Sequence, residues 1–373
     1  MSNQSKTNQK NEGIKRRYLH WMKEAKGFSN KSIDSIEKAL WKYEEFSNQE
    51  DYCLFSSKRA NQFKLFLSTN VNKRSKKVLG VTSQYHHLRH IKSFFTWLSV
   101  QPGYKSKVSA DDVLYLDLSQ KQRRQATTTK SQKYPTLEQV KTLCSFEVKT
   151  EIDQRDRALI AFSALTGMRD RAIVTLPIGC FDAINLCVDQ DPKKGVETKF
   201  GKSITTTLFR IDDNLINFVV DWYNYLVREK KNSIDDPLFP STEVGHISND
   251  HHAYEAKGVS KSFWADTGAM RNIFKTRSNQ VDIPYFSPHK FRHFIIDEVK
   301  KHISSMEQLK AVSQNLGHEN ITTTFGYGVI EETRVSELVG EIDFSGLPGN
   351  KREEAQAEKI AEILLKKLDK NSL

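Results

Sequence analysis

The sequence predicts a mainly α-helical protein of two domains, with a small antiparallel β-sheet in the second. Three observations lead there. Apolar residues recur at helical spacing through most of 14–100 and again after about 157. Between 180 and 209 the period shortens to that of strands. Between these regions, LSQKQRRQATTTKSQKYPT at 118–136 has almost no apolar residues and reads as a connection between domains.

The first domain is expected at 14–120. Residues 1–13 are polar and charged and are expected to be disordered. Ser32–Phe46 carries Ile33, Ile36, Leu40 and Tyr43 at helical spacing, and Lys58–Leu67 carries Phe63, Phe66 and Leu67. From Thr82 to Leu98, Leu88, Ile91, Phe95 and Leu98 form one apolar stripe. His86, Arg89, His90 and Lys92 fall largely elsewhere, so one face is buried and the other basic. The histidines of this face have no Cys or carboxylate partner at metal-ligand spacing.

A linker at 121–133, which contains Arg123 and Arg124, leads to a second domain at 134–345. Pro135-Thr136 before Leu137 and Glu138 reads as a helix start. Arg157–Leu165 reads as an apolar helix ending at Thr166-Gly167. CFDAINLCV, GVETKF and KSITTTLFR read as three strands, the last two joined by a tight turn around Gly201. Residues 214–229 return to helix, 231–260 read as loop, and about 261–276 and 289–302 as helices. A C-terminal segment at 346–373 holds an amphipathic helix with Ala357, Ile360, Leu364 and Leu368 on one side, a surface suited to another protomer.

The chain has 373 residues, with 57 Lys+Arg against 46 Asp+Glu, a net charge of +11 and a pI near 9.2. Such a balance favours a polyanionic partner. No apolar run approaches the ~20 residues of a membrane span. The N-terminus has no apolar core of a secretory signal, so a cytoplasmic protein is expected. Cys53, Cys144, Cys180 and Cys187 form no CxxC pair and are expected to be reduced and structural.

Four motifs carry the chemistry. ALTGMRDRA places Arg169 just after a helix. ETKFGKS places Lys199 and Lys202 at a hairpin turn. SPHKFRH places His289 and Arg292 at i and i+3, on one helix face. LGHENITTTFGYG places Tyr327 between two glycines, nine residues after His318. Singly, each has an ordinary structural explanation; their order and spacing do not.

In that order, Arg, Lys, His-x-x-Arg, Gly-His and Tyr resemble the tyrosine recombinase (phage integrase) family. The resemblance runs from about 14 to 335. It implies a two-domain clamp around duplex DNA, with a helical, SAM-like core-binding domain and a catalytic domain. It implies site-specific recombination by strand cleavage and rejoining through a 3′-phosphotyrosyl intermediate, without metal, ATP or other cofactor. Tyr327 is then the nucleophile. Arg169 and Arg292 answer the charge spreading over the phosphate oxygens. Lys199 is the general acid at the leaving 5′-oxygen, with Lys202 as the alternative. His289 assists proton transfer at the tyrosine, and His318 hydrogen-bonds the scissile phosphate. His86, Arg89, His90, Lys92, Arg123 and Arg124 are the candidate DNA contacts.

The expected partners are double-stranded DNA, three further copies in a homotetramer and an accessory directionality factor, with no membrane. Integration or excision of a mobile element is the expected task, and no separate arm-binding domain is expected before residue 14. A type IB topoisomerase and a DNA-binding protein without catalysis are the rival readings. One departure stands out: the family's acidic residue three positions after the first arginine is Ala172 here.

Overall fold

The computed structural model describes residues 8–71, 76–127, 133–247, 250–303 and 305–318. Tyr327 and the amphipathic stretch within 346–373 lie outside these residues. The chain divides into two compact units, Met1–Thr129 and Lys130–Leu373. Each has its own hydrophobic core. Among the described residues no helix is long and apolar enough to cross a membrane.

The first unit is helical. Its elements are α1 (Gln9–Glu24), α2 (Asn30–Ser47), α3 (Ser57–Thr69), α4 (Val81–Leu98), α5 (Ala110–Leu114) and α6 (Gln120–Thr127). Ser29 and Ser56 cap α2 and α3 by accepting from the N–H groups of Ser32 and Arg59. The stripe read on α4 is the buried one: Leu88, Ile91, Phe95 and Leu98 are all at most 3% exposed. Aromatic rings fill the centre. Tyr43 meets Phe63 and Phe95 edge-on, each at 5.1 Å, and each such buried side chain contributes roughly 1.5–3 kcal/mol by leaving water.

Two expectations fail in this unit. Residues 9–13 are not disordered: Asn8 caps α1, and the fully buried Asn11 donates to the Glu50 carbonyl and accepts from the N–H of Tyr52. A polar sequence was held by buried hydrogen bonds that hydropathy does not register. Nor is the start of 121–133 a linker. It is the helix α6, packed on α4 through Ala126, whose carbonyl accepts from the Thr82 hydroxyl.

The second unit contains α7 (Leu137–Leu143), α8 (Glu151–Thr166), α9 (Asp170–Val174), β1 (Phe181–Asp182), β2 (Cys187–Gln190), β3 (Ile204–Thr207), α10 (Asp213–Asn224), β4 (Thr242–Ile247), β5 (Asp250–Val259), α11 (Gly268–Gln280), α12 (Pro288–Lys300) and α13 (Met306–Asn315). Thr136 and Thr150 form capping boxes with Gln139 and Asp153. The N-terminal box carries the helix start back from Arg157 to Glu151. From Ala158 to Thr166 every residue of α8 is buried, and α10 and α12 pack against it.

The small sheet is antiparallel in the order β1-β2-β3, with Val188 opposite Thr206. Its strands differ from the expected three. CFDAINLCV supplies both β1 and β2, folding back at Asp182, which accepts from the N–H groups of Ile184 and Asn185. GVETKF is not a strand; it joins two 3₁₀ turns, Pro192–Lys194 just before it and Lys199–Gly201 at its end. The stretch 231–260 is not all loop either, since β4 and β5 pair there as a second, bulged antiparallel sheet. Residues 261–267 precede α11 rather than belonging to it, and 225–229 close α10 as a π turn. The four cysteines carry free thiols.

A buried ionic cluster holds α8, α11 and the start of β4 together. Asp156 accepts from Arg155 on one oxygen (2.7 and 3.0 Å) and from Arg277 on the other (2.7 and 2.9 Å). Arg277 also donates to Asp153 at 2.6 Å, and Arg155 reaches the Pro240 carbonyl and the Thr242 hydroxyl, both at 3.0 Å. Arg155 and Asp156 are 1% and 4% exposed.

Candidate active site

The site is assembled at the end of α8. Gly167 terminates that helix in the left-handed conformation, with φ +58°. A Cβ there would come within 2.7 Å of the Ile295 side chain on α12, so glycine is required both by dihedral and by space. The chain then turns through Met168 to Arg169, the half-exposed residue that opens α9.

Arg292 sits on α12 and is 1% exposed. One of its η nitrogens donates to the Gly167 carbonyl at 2.6 Å. The other donates to the Leu316 carbonyl and meets His318 Nε2 at 2.6 Å. Three motifs far apart in sequence therefore meet on one guanidinium. A guanidinium only donates, so His318 accepts through Nε2 and carries its proton on Nδ1. Burial, then the charges of Arg292 and Arg169, push its pKa down to about 3. His318 is a neutral imidazole at working pH.

The Leu-Gly-His segment is held in place by the small sheet. Asn315, ending α13, donates to the Thr207 carbonyl at 2.9 Å and accepts from the Thr207 N–H at 2.6 Å. Its own carbonyl accepts from the Thr206 hydroxyl at 2.7 Å. Gly317 has φ +65°, and a Cβ on it would fall 2.4 Å from Ile204 Cδ1. Nothing in the sequence near Asn315 or Ile204 signals these roles; Asn315 bonds Thr206 and Thr207, and Gly317 meets Ile204, only in the fold.

His289 lies one turn before Arg292 and is open to solvent. The mass of protein around it still lowers its pKa through desolvation. The cations Arg292, Arg169 and Lys290 lower it further, and Asp170 opposes them. His289 meets His293 edge-on at 5.3 Å. His293 is 8% exposed, stacks near Tyr134, and is pushed down to about 4, chiefly by burial. Sequence reasoning passed over His293, which follows Arg292 directly.

The lysines lie between β2 and β3. Lys199 is exposed in its 3₁₀ turn, with Nζ 4.9 Å from the centre of the Phe200 ring. Phe200 is 75% exposed and has φ +64°. Lys202 is half-buried and lines an open hollow with Ser203, Thr205, Asn315, Gly317 and His318. The turn is tied to α9: Arg171 grips Glu197 with both ends of its fork, at 2.5 and 2.6 Å. Ala172, where an acid was expected, is 1% exposed and packs in the core.

In the first unit, Lys92 donates to Asp117 at 2.5 Å, and Arg123 approaches the same carboxylate at 3.3 Å. His86, Arg89 and Arg124 are exposed. His90 is half-buried, its pKa pushed down to about 4 by burial and then by Arg89 and the neighbouring histidines. The six candidates thus lie on α4 and α6, the two helices joined at Thr82 and Ala126.

The sequence matches the model of the phage integrase family over residues 133–333. No curated protein matches it significantly. Among solved structures, a lambda integrase (75–356) dimer bound to a COC′ core site is similar at TM-score 0.58 and 11% identity, covering 90% of this chain and 99% of that chain. The XerH site-specific recombinase bound to palindromic difH substrate, a post-cleavage complex, is similar at TM-score 0.57 and 16% identity, covering 91% of each. The Tn1549 transposon integrase in complex with transposon right-end DNA is similar at TM-score 0.53 and 14% identity, covering 88% of this chain and 98% of that chain. At such identities the likeness is one of fold.

Proposed function

The chain belongs to the phage integrase family as a site-specific DNA recombinase of the tyrosine type, and from that premise we propose that it cuts and rejoins DNA through a 3′-phosphotyrosyl intermediate formed on Tyr327. The observation that carries the reading is the meeting of the TGMR, HKFR and LGH motifs on the buried Arg292.

The Tyr327 oxygen attacks phosphorus, forming the P–O(Tyr) bond as the P–O5′ bond breaks. The electron pair of that bond goes to O5′, which takes a proton from Lys199. His289 receives the tyrosine proton; a lowered pKa keeps it able to accept one near neutrality. Arg169 and Arg292 offset the charge on the non-bridging oxygens, and the fork geometry makes Arg→Lys a poor replacement. His318, neutral and held by Arg292, hydrogen-bonds the phosphate as a donor through Nδ1. Lys202, in the hollow beside His318, is the alternative acid. Separate Lys199→Ala and Lys202→Ala proteins decide between them by which one loses cleavage.

The DNA is held by both units, with His86, Arg89, His90, Lys92, Arg123 and Arg124 among the contacts. Affinity then falls steeply as salt rises. Four protomers act together, with the segment at 346–373 as a protomer contact and an accessory factor setting direction. The task is integration or excision of a mobile element in the cytoplasm. The similar structures include a dimer on a core site and a transposon integrase on transposon-end DNA, which supports a DNA-bound assembly.

The test is recombination between two copies of the DNA flanking the protein's own gene, placed on one plasmid. Recombined product with the native protein, lost in Tyr327→Phe while DNA binding persists, is expected. Relaxation of a one-site plasmid without recombinant product points instead to topoisomerase chemistry.

A further inference from the structure

The turn that carries Lys199 must be held in place for the lysine to act. Lys199 is exposed and carried on a 3₁₀ turn of three residues, yet proton delivery to a leaving oxygen needs a placement good to a fraction of an ångström. The residue before this turn's cap is fixed on both sides. Val196 is 1% exposed in the core. Glu197 donates its N–H to the Thr175 hydroxyl at 2.9 Å, and that hydroxyl donates to the Arg171 carbonyl, also at 2.9 Å. The Glu197 carboxylate accepts both arms of the Arg171 fork, and the remaining arm of Arg171 reaches the Ala265 carbonyl at 2.8 Å. Thr198 closes the turn by donating to the Lys202 carbonyl at 2.7 Å.

We propose that Arg171 and Glu197 are positioning residues that clamp the Lys199 turn to α9, whose first-turn neighbour is Arg169. The inference rests on Lys199 as the general acid. The clamp spans few bonds: Arg169 and Arg171 share one helical turn, and Glu197 stands two residues from Lys199. Arg171 is the residue next to Ala172, where α9 lacks the expected acid. Its side chains are 35% and 55% exposed. A pair that open to water contributes little to folding stability, so its bidentate geometry has its effect on the turn rather than on the fold.

The experiment uses leaving-group chemistry. The duplex that the native protein cuts is made twice, once normally and once with sulfur replacing the 5′-bridging oxygen at the scissile position. A thiolate leaves without needing a proton. Lys199→Ala is expected to slow cleavage of normal DNA by ~10²-fold or more and to recover on the sulfur duplex. Glu197→Ala and Arg171→Ala are expected to slow normal cleavage by about tenfold to 10²-fold and to recover likewise, with DNA affinity and thermal midpoint unchanged. The exchanged pair Arg171→Glu/Glu197→Arg is expected to regain part of the rate. Equal slowing on both duplexes, or no slowing on either, overturns the clamp. If Lys199→Ala does not recover on sulfur while the Tyr327 adduct still forms, the clamp falls and the recombinase reading stands. If no Tyr327 adduct forms, that reading itself falls.

Discussion

Two arginine–carboxylate clusters in the second unit use the same guanidinium fork and differ in burial. Asp156, with Arg155 and Arg277, lies inside, 4% exposed. Glu197, with Arg171, lies in a side-chain pair open to solvent. The inner cluster is satisfied on both oxygens of Asp156 by arginines from two elements, α8 and α11, so removing one member strands charges that water cannot reach. In the outer pair water replaces a lost partner at small cost. The same contact is therefore a matter of stability in one place and of geometry in the other.

The largest effect tests the inner cluster. Asp156→Ala is expected to destabilise the protein by roughly 3–5 kcal/mol, read by urea denaturation, because two arginines lose their shared partner. A loss below about 1 kcal/mol would erase the contrast. Gly317→Ala comes next. With φ +65° and Ile204 Cδ1 at 2.4 Å from the added methyl, it is expected to cost about 1–3 kcal/mol. It is also expected to reduce cleavage by shifting His318. Full activity in Gly317→Ala would mean the Leu-Gly-His segment is not held rigidly.

Acid sensitivity sharpens the comparison further. His293 and His318 have folded pKa values lowered to about 4 and about 3, below the ordinary ~6.5 of the unfolded chain. Above pH 6.5 both states hold these rings neutral, and the full stability is present. As pH falls through 6.5 toward 4 and then 3, the unfolded chain takes up protons that the folded one resists, so stability is lost. His293→Gln is expected to shallow the decline between pH 6.5 and 4 in a denaturation series, and an unchanged slope would assign the decline elsewhere. The smallest effect is at the outer pair, where Glu197→Ala is expected to change stability by about 1 kcal/mol or less. A larger loss would put it in the same class as Asp156.

How much of this was legible in the sequence follows from the range of the forces involved. The α4 stripe, the Thr136 start and the order of the four motifs are local patterns, and the structure places Leu88, Ile91, Phe95 and Leu98 in the core as their spacing implies. What escaped depends on distant partners. Residues 9–13 are helical because Asn11 finds Glu50 and Tyr52. Residues 120–127 are helical although nearly all polar, with Ala126 buried and its carbonyl bonded to Thr82 of α4. GVETKF has the composition of a strand, but a 3₁₀ turn capped by Asp191 ends just before it, a second begins at Lys199, and the Glu197 N–H between them goes to the Thr175 hydroxyl. The β4–β5 pair carries no clean alternation and is bulged. In the site, Arg169, Arg292 and His318 were named from motif order, whereas Asn315, Ile204, Arg171 and Glu197 act by contacts that no spacing reveals.

The most direct test of the central claim is to trap the protein on nicked duplexes that lose the rejoining strand, digest the adduct and identify the modified residue by mass spectrometry. The account predicts a DNA 3′-phosphate on Tyr327 and no adduct in Tyr327→Phe. A phosphate found on any other residue, or an adduct that survives Tyr327→Phe, would contradict it.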